Sequence, residues 1–508
     1  MQNLMLKNRR EFLKLIAKGS IVITTPVLLN CGPQVEKRPN ILICISDDQS
    51  WPHAGAYGCK FVNTPNFDRI SHEGILFNNA YVSAPSCCPS RGSILTGQAF
   101  YRLERASMNH TRWSDKFKVY TDILAAADYH VGFTGKGWGP GNWKVTERKH
   151  NPAGQEYNNY KTEPTAKGMS NIDYARNFKD FIEKRADDQP ICFWYGGYEP
   201  HRIYEKESGL KQGKKLEDVD VPSIYPDVEE IRSDLLDYAL EIEWFDTHLG
   251  RMIKILEEIN ELDNTIIVVT SDNGMPYPRA KATVYDMGTH VPFALRWGNK
   301  VKSGRIVDDF ISLTDLAPTF LEAAGLSIPN EVTGKSLMNI LFSEKSGQIE
   351  SDRDFVITGI ERHFPGSREG SNCYPIRTIQ THQYSYIRNY ESDRMPVGEI
   401  NSKVWPDNDP THGYADTDGS PTKTHLVNNR KTYPRLFELA FCIRPEVELY
   451  DIQKDPYQMF NLAEDSRYNT IKANLSRQLQ IVLQKTQDPR QLGKGDLFEF
   501  YAKEYPGY

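Results

Sequence analysis

The sequence contains no CxxC pair and no cysteine–histidine spacing of the zinc-site kind, although it holds 8 cysteines, so a zinc ribbon or finger is excluded. It has no basic excess: 61 Lys and Arg face 67 Asp and Glu, a formal net charge of -6, which argues against a nucleic-acid binder. The same balance gives no global attraction to an anionic substrate, so any such attraction has to be built locally. There is no internal repeat and no low-complexity tract. The apolar stretch that runs up to Leu29 is interrupted by Lys18. It falls short of the roughly twenty residues needed to cross a bilayer.

What is present is an ordinary soluble composition, 39% hydrophobic and 25% charged, in 508 residues, a length that suits one large and one small domain. The 27 tyrosines and 8 tryptophans read first as packing residues and only second as platforms for sugar rings. At the N-terminus, Asn8-Arg9-Arg10-Glu11-Phe12-Leu13-Lys14 resembles a twin-arginine export signal, and Leu28-Leu29-Asn30-Cys31 resembles a lipobox. Residues 1–31 are therefore expected to be a signal peptide, and the mature protein to be periplasmic or an outer-membrane-anchored bacterial lipoprotein.

The run Ile41-Leu42-Ile43-Cys44-Ile45 reads as a strand buried on both faces, the mark of a parallel sheet beneath helices. It runs into Ser46-Asp47-Asp48. A second such strand, 265–271, runs into Asp272-Asn273-Gly274. Two further short strands are expected at 132–136, reaching Lys136, and at 191–195. Sites in open α/β sheets form at the carboxyl ends of strands, so these polar strand ends outline one. Apolar spacing predicts a crossover helix over 233–260 and another over 312–324 that stops at Gly325. Beyond residue 365 the texture changes. An antiparallel pair is expected within 376–390, an extended surface loop over 401–434, a short strand at 448–451 and a late helix over 471–486. The expected fold is α/β, a large, mostly parallel central sheet sandwiched by helices over 32–365. A smaller α+β domain on an antiparallel sheet follows over 366–508.

The chemistry concentrates in Cys87-Cys88-Pro89-Ser90-Arg91-Gly92-Ser93-Ile94-Leu95-Thr96-Gly97. Pro89 fits the first turn of a helix, which puts Cys87 at the positive helix end with Arg91 one turn on, an electropositive niche for a nucleophile. A pair of core cysteines beside a turn is the alternative. The segment resembles the signature of the sulfatase family, Cys-x-Pro-Ser-Arg followed by Leu-Thr-Gly. In that family the leading cysteine, here Cys87, is oxidised by a maturation enzyme to formylglycine. The resemblance implies Asp47, Asp48, Asp272 and Asn273, with residue 87, as ligands of calcium, a hard cation suited to oxygen donors. It implies Arg91 as a partner of the nucleophile, Lys136 and Lys281 as sulfate-binding cations, and His201 beside the leaving oxygen. The family usually has a histidine two residues after this lysine, where this chain has Trp138. Trp138 could stack on a sugar face instead, and His110 or His290 could stand in for the imidazole. Within the family, Ser271-Asp272-Asn273-Gly274-Met275-Pro276-Tyr277-Pro278, Pro200-His201-Arg202, Cys373-Tyr374-Pro375-Ile376-Arg377 and Glu448-Leu449-Tyr450-Asp451 resemble sulfamidases, which remove N-sulfate from heparan glucosamine. The implied substrate is thus a sulfated saccharide, bearing a sulfate ester or a sulfamate. Two rival readings are a phosphodiesterase or phosphonate monoester hydrolase of the same superfamily, and an inactive glycan-binding lipoprotein.

Overall fold

The computed structural model describes residues 37–402 and 413–504. The expected signal peptide and Cys31 lie outside the described residues. The strands, in chain order, are β1 (Asn40–Ser46), β2 (Ile75–Phe77), β3 (Ala80–Tyr81), β4 (His130–Gly135), β5 (Gln155–Glu156), β6 (Ile191–Gly196), β7 (Thr265–Ser271), β8 (Phe293–Arg296), β9 (Arg305–Val307) and β10 (Ile311–Ser312). They continue with β11 (Phe355–Ile360), β12 (Ile376–Thr381), β13 (Tyr384–Asn389) and β14 (Val447–Asp451). Eight make the main sheet in the order β5-β4-β6-β1-β7-β8-β2-β9, and β3 pairs with β10 beside it.

From β5 to β7 every pairing is parallel, with Ile43 opposite both Trp194 and Val268. Parallelism has a direct consequence. The residues that follow β1, β4, β6 and β7 all emerge at one edge of the sheet, so side chains distant in sequence can meet there. Both faces of β1 are covered. Ile41, Ile43 and Ile45 pack with Ile94, Leu95, Leu316 and Phe320 on one side. Leu42 and Cys44 pack with Phe245, Leu249 and Met252 of the long helix Glu229–Glu258 on the other. Five apolar residues in a row are what a doubly covered strand requires, and truncating Ile43 to alanine would remove about 2–5 kcal/mol of stability.

The helix over 312–324 opens as a short 3-10 turn, Leu313–Asp315, under a Ser312–Asp315 capping box, and continues as Leu316–Ala323. Gly325 follows with φ of 71°, the left-handed region that only glycine enters cheaply. The antiparallel sheet runs β11-β12-β13-β14. Its first strand starts at Phe355, so this layer begins before residue 365, and residues 38–508 make one compact unit. The surface loop expected over 401–434 is corrected over 413–434, and residues 403–412 lie outside the described residues. Ser420 caps a helix Pro421–Asn428 with Pro421 in its first turn, a second helix begins at Pro434, and Tyr414 to Thr417 are buried. Polar composition concealed a segment that packs inward because its Asp and Lys residues are paired there. No helix among the described residues is long and apolar enough to cross a membrane.

The long helix also buries Glu241, 1% exposed, with Oε1 lacking a hydrogen-bond partner. Burial, then the Glu199 and Asp237 carboxylates, push its pKa up from 4.5 to about 9. The folded protein keeps a proton that the unfolded chain releases, so wild-type stability falls as pH climbs from near 4.5 toward 9. Glu241→Gln removes that slope. Urea unfolding is expected to show the variant gaining on wild type by about 1 kcal/mol or more between pH 5 and pH 8.

Candidate active site

Four strand ends and one helix build the site. Asp47 and Asp48 follow β1, and the Asp47 amide N–H donates to the Glu199 carbonyl at 2.9 Å. Asp48, at φ 77°, donates its own amide to Asp272 Oδ1 at 3.2 Å, which ties the β1 and β7 ends together. Gly135, at φ 74°, ends β4 against β6, where a Cβ would collide with the Gly196 carbonyl. That close approach lets Lys136 turn toward Asp47.

The helix Cys87–Thr96 is buried throughout. Ser86 at its N-cap position makes no side-chain cap, and Asn109 Oδ1 accepts the Cys88 amide N–H at 2.8 Å. The first residue of the helix is Cys87. Its Sγ lies 3.4 Å from Asp47 Oδ1. One turn on, Arg91 donates through Nε to Asp272 Oδ2 at 2.7 Å and approaches Asp47 Oδ1 at 3.9 Å. Lys136 Nζ donates to Asp47 Oδ2 at 2.5 Å, and Lys281 Nζ to Asp48 Oδ2 at 2.7 Å. His201 Nε2 stands 3.9 Å from Asp48 Oδ2 on the more open side, its ring oriented by Nδ1 against the Arg202 carbonyl. Asp47, Asp48, Cys87, Arg91, Lys136, His201, Asp272 and Lys281 thus meet in one niche.

Asp47, Asp48, Cys87 and Asp272 each bring a ligand atom within 4.8 Å of the others. Asn273 joins them, donating Nδ2 to Asp48 Oδ1 at 2.6 Å, while its Oδ1 is buried without a hydrogen-bond partner. Three buried carboxylates and an orphaned amide oxygen are hard donors, a set that fits a calcium ion.

Burial pushes the Asp48 carboxyl up against the pull of Lys281 and His201, and Asp47 pushes it further. Burial opposes ionisation of Asp47 as well, but Lys136, His201, Arg91 and Lys281 outweigh it and hold that carboxyl well below its usual range. Burial, then the Asp47 carboxylate, push the Cys87 thiol well above its ordinary value. Unmodified, Cys87 is a protonated thiol and a poor nucleophile.

The stacking role of Trp138 and the stand-in role of His290 are corrected. Trp138 is 2% exposed, packs edge-on to Trp113 at 4.9 Å and donates Nε1 to the Cys88 carbonyl at 3.1 Å, so no sugar can stack on it. His290 is stacked on both Trp51 and Tyr81, with Nε2 on the Asn78 carbonyl and Nδ1 on Asp286. His110 packs edge-on to Phe364, and burial, then His363, push its pKa down to about 3. Two residues that sequence reasoning missed stand beside the niche. Asp418 pairs with Lys281 at 3.2 Å, and the His363 ring lies among the charges of Lys281, Asp416, Asp418 and His201. No local motif marks either one; both arrive by tertiary folding from beyond the main sheet.

The sulfatase family model matches residues 39–326. The chain belongs to the sulfatase family. Its reaction class is therefore sulfuric ester hydrolysis. A second model, described as N-sulphoglucosamine sulphohydrolase, C-terminal, matches residues 279–400 of this sulfatase. An ulvan-active sulfatase of Formosa agariphila is 28% identical over 90% of this chain and 82% of its own length. The N-sulphoglucosamine sulphohydrolase of Homo sapiens is 26% identical over 89% of this chain and 91% of its own. Among solved structures, one of a protein in complex with its substrate D-glucosamine-2-N,6-O-disulfate superposes with a TM-score of 0.63 at 20% identity, covering 89% of this chain and 99% of that one. That likeness carries the fold.

Proposed function

We propose that this sulfatase removes sulfate, as an ester or a sulfamate, from a sulfated glycan, using a formylglycine made from Cys87 by a maturation enzyme. The observation that carries the reading is the seating of Cys87 as the first residue of a buried helix, with Arg91, Lys136 and Lys281 converging on the carboxylates around it. Asp47, Asp48, Asp272, Asn273 and residue 87 would hold calcium, which, when bound, supplies positive charge to the reacting oxygens. The hydrated aldehyde at position 87 supplies both an attacking oxygen and, through its second hydroxyl, a way to release sulfate that a plain thiol lacks.

The chain's own residues do the rest. Lys136 and Lys281, pulled toward carboxylates, are placed to neutralise sulfuryl oxygens as charge builds on them. Arg91 holds Asp272 and faces Asp47, which fixes the geometry around residue 87. His201 hands a proton to the departing sugar oxygen or nitrogen from the open side of the niche. The human relative's name and the sulfamidase-like stretches favour an N-sulfated or O-sulfated hexosamine. The twin-arginine-like and lipobox-like N-terminus favours export, with a lipid anchor at Cys31.

The test is sulfate release from a panel of N-sulfated and O-sulfated saccharides beside phosphodiester and phosphonate substrates. Turnover is expected on at least one sulfated saccharide, with rates on phosphodiesters about 10²-fold lower or less. Preference for the phosphodiesters would overturn the reading. Saccharide binding without turnover by fully matured protein would favour the inactive glycan-binding alternative.

A further inference from the structure

Trp138 leaves the niche without the imidazole that usually follows the family lysine, and His363 lies where another could act. His363 is 4% exposed. Its Nδ1 meets Ser86 Oγ at 2.9 Å and Asn109 Nδ2 at 3.3 Å. The Asn109 amide has only one orientation available, because its Oδ1 accepts the Cys88 amide N–H at 2.8 Å. Asn109 Nδ2 is therefore a donor, and Nδ1 of His363 must accept. In the neutral ring the proton then sits on Nε2, which makes no hydrogen bond to any described residue.

Ser86 adds a second, independent observation. It occupies the N-cap position of the helix Cys87–Thr96, yet its side chain caps no helix amide. A serine at this position ordinarily stabilises a helix by capping it. Here that hydroxyl is turned onto His363 instead. The helix start that carries Cys87 and the ring of His363 are thus locked together, with the ring lying among Lys281, Asp416, Asp418 and His201. Burial, then Lys281, push the His363 pKa down to about 4, in keeping with a neutral ring.

We propose that His363 is a substrate-contacting residue of this site, donating Nε2–H to an oxygen of the bound sulfate group beside Lys281. The inference rests on the sulfatase reading of the same niche. A neutral donor suits a ring beside the Lys281–Asp418 pair: it adds a directed hydrogen bond to the anion without the repulsion a third cation would bring.

Two substitutions separate this role from a structural one, because asparagine reproduces the Nδ1 acceptor and glutamine the Nε2 donor. In matured, calcium-loaded protein, His363→Asn keeps the tie to Ser86 and loses the donor. His363→Gln keeps the donor and weakens the tie. His363→Asn is expected to raise KM and the inhibition constant of inorganic sulfate about tenfold to hundredfold, with His363→Gln recovering most of the loss. A residue that merely braced the helix start would give the reverse order, and that result, equal impairment, or no effect of either would overturn the proposal. Calorimetric titration of inorganic sulfate reads the same contact without turnover. If wild type releases no sulfate from any saccharide, the functional reading fails separately. Sulfate affinity lowered in His363→Asn and retained in His363→Gln would still support the contact.

Discussion

Cys87→Ala is expected to abolish sulfate release, by at least about 10⁴-fold, while the protein stays folded and still binds its saccharide. The position tolerates alanine. It is the first residue of a helix, and its Sγ has a single long contact, to Asp47 Oδ1 at 3.4 Å. Removing that sulfur changes stability by about 1 kcal/mol at most, within the ordinary range for one substitution. The cations around it remain, so Lys136 and Lys281 still meet the anion. What disappears is the group at the centre of the niche that becomes the nucleophile. Activity within about tenfold of wild type would mean that some other side chain attacks, and the assignment of residue 87 would fall.

The second large effect is expected at Asp272, because one carboxylate serves two purposes. Its Oδ2 takes Arg91 Nε at 2.7 Å where both side chains are 0% exposed, and its carboxylate belongs to the ligand cluster. Asp272→Ala therefore strands a buried guanidinium, a loss of about 3–5 kcal/mol, and removes a donor for calcium. Asp272→Asn keeps an acceptor for Arg91 and should recover much of the stability without the activity. Calcium provides the discriminating readout. A cation that binds only the folded protein stabilises it by about 2.7 kcal/mol at one hundred times its Kd. Chelation should thus lower the Tm of wild type and leave both Asp272 variants where they are. An equal calcium response in all three would place the cation elsewhere.

Much of this was legible in the sequence, for physical reasons that differ by element. Ile41 to Ile45 and Thr265 to Ser271 announced themselves because a strand covered on both faces has no polar alternation to confuse it. Once those strands were parallel, the positions of Asp47, Asp48, Asp272 and Asn273 at one edge followed. The helix start at Cys87 was readable from Pro89. The antiparallel strands β8 and β2 were not read, since both are short and their pairing joins residues far apart in the chain. The segment from Gly413 to Thr417 looked like solvent-exposed loop, because its polar residues gave no hint of their buried partners. Asp418 and His363 were invisible for the same reason. Their meaning lies in Lys281, Ser86 and Asn109, which only the fold brings near. Trp138 marked a gap in the site from sequence alone, but its own burial against Trp113 could not be read there.

The most direct measurement is the mass of the tryptic peptide that contains Cys87, taken from protein made in a host with a formylglycine maturation system. A mass lower by about 18 Da than the cysteine form, lost in Cys87→Ala and accompanied by sulfate release, is the expected result. Unmodified cysteine in this protein, while a control sulfatase from the same cells is converted, would contradict the account.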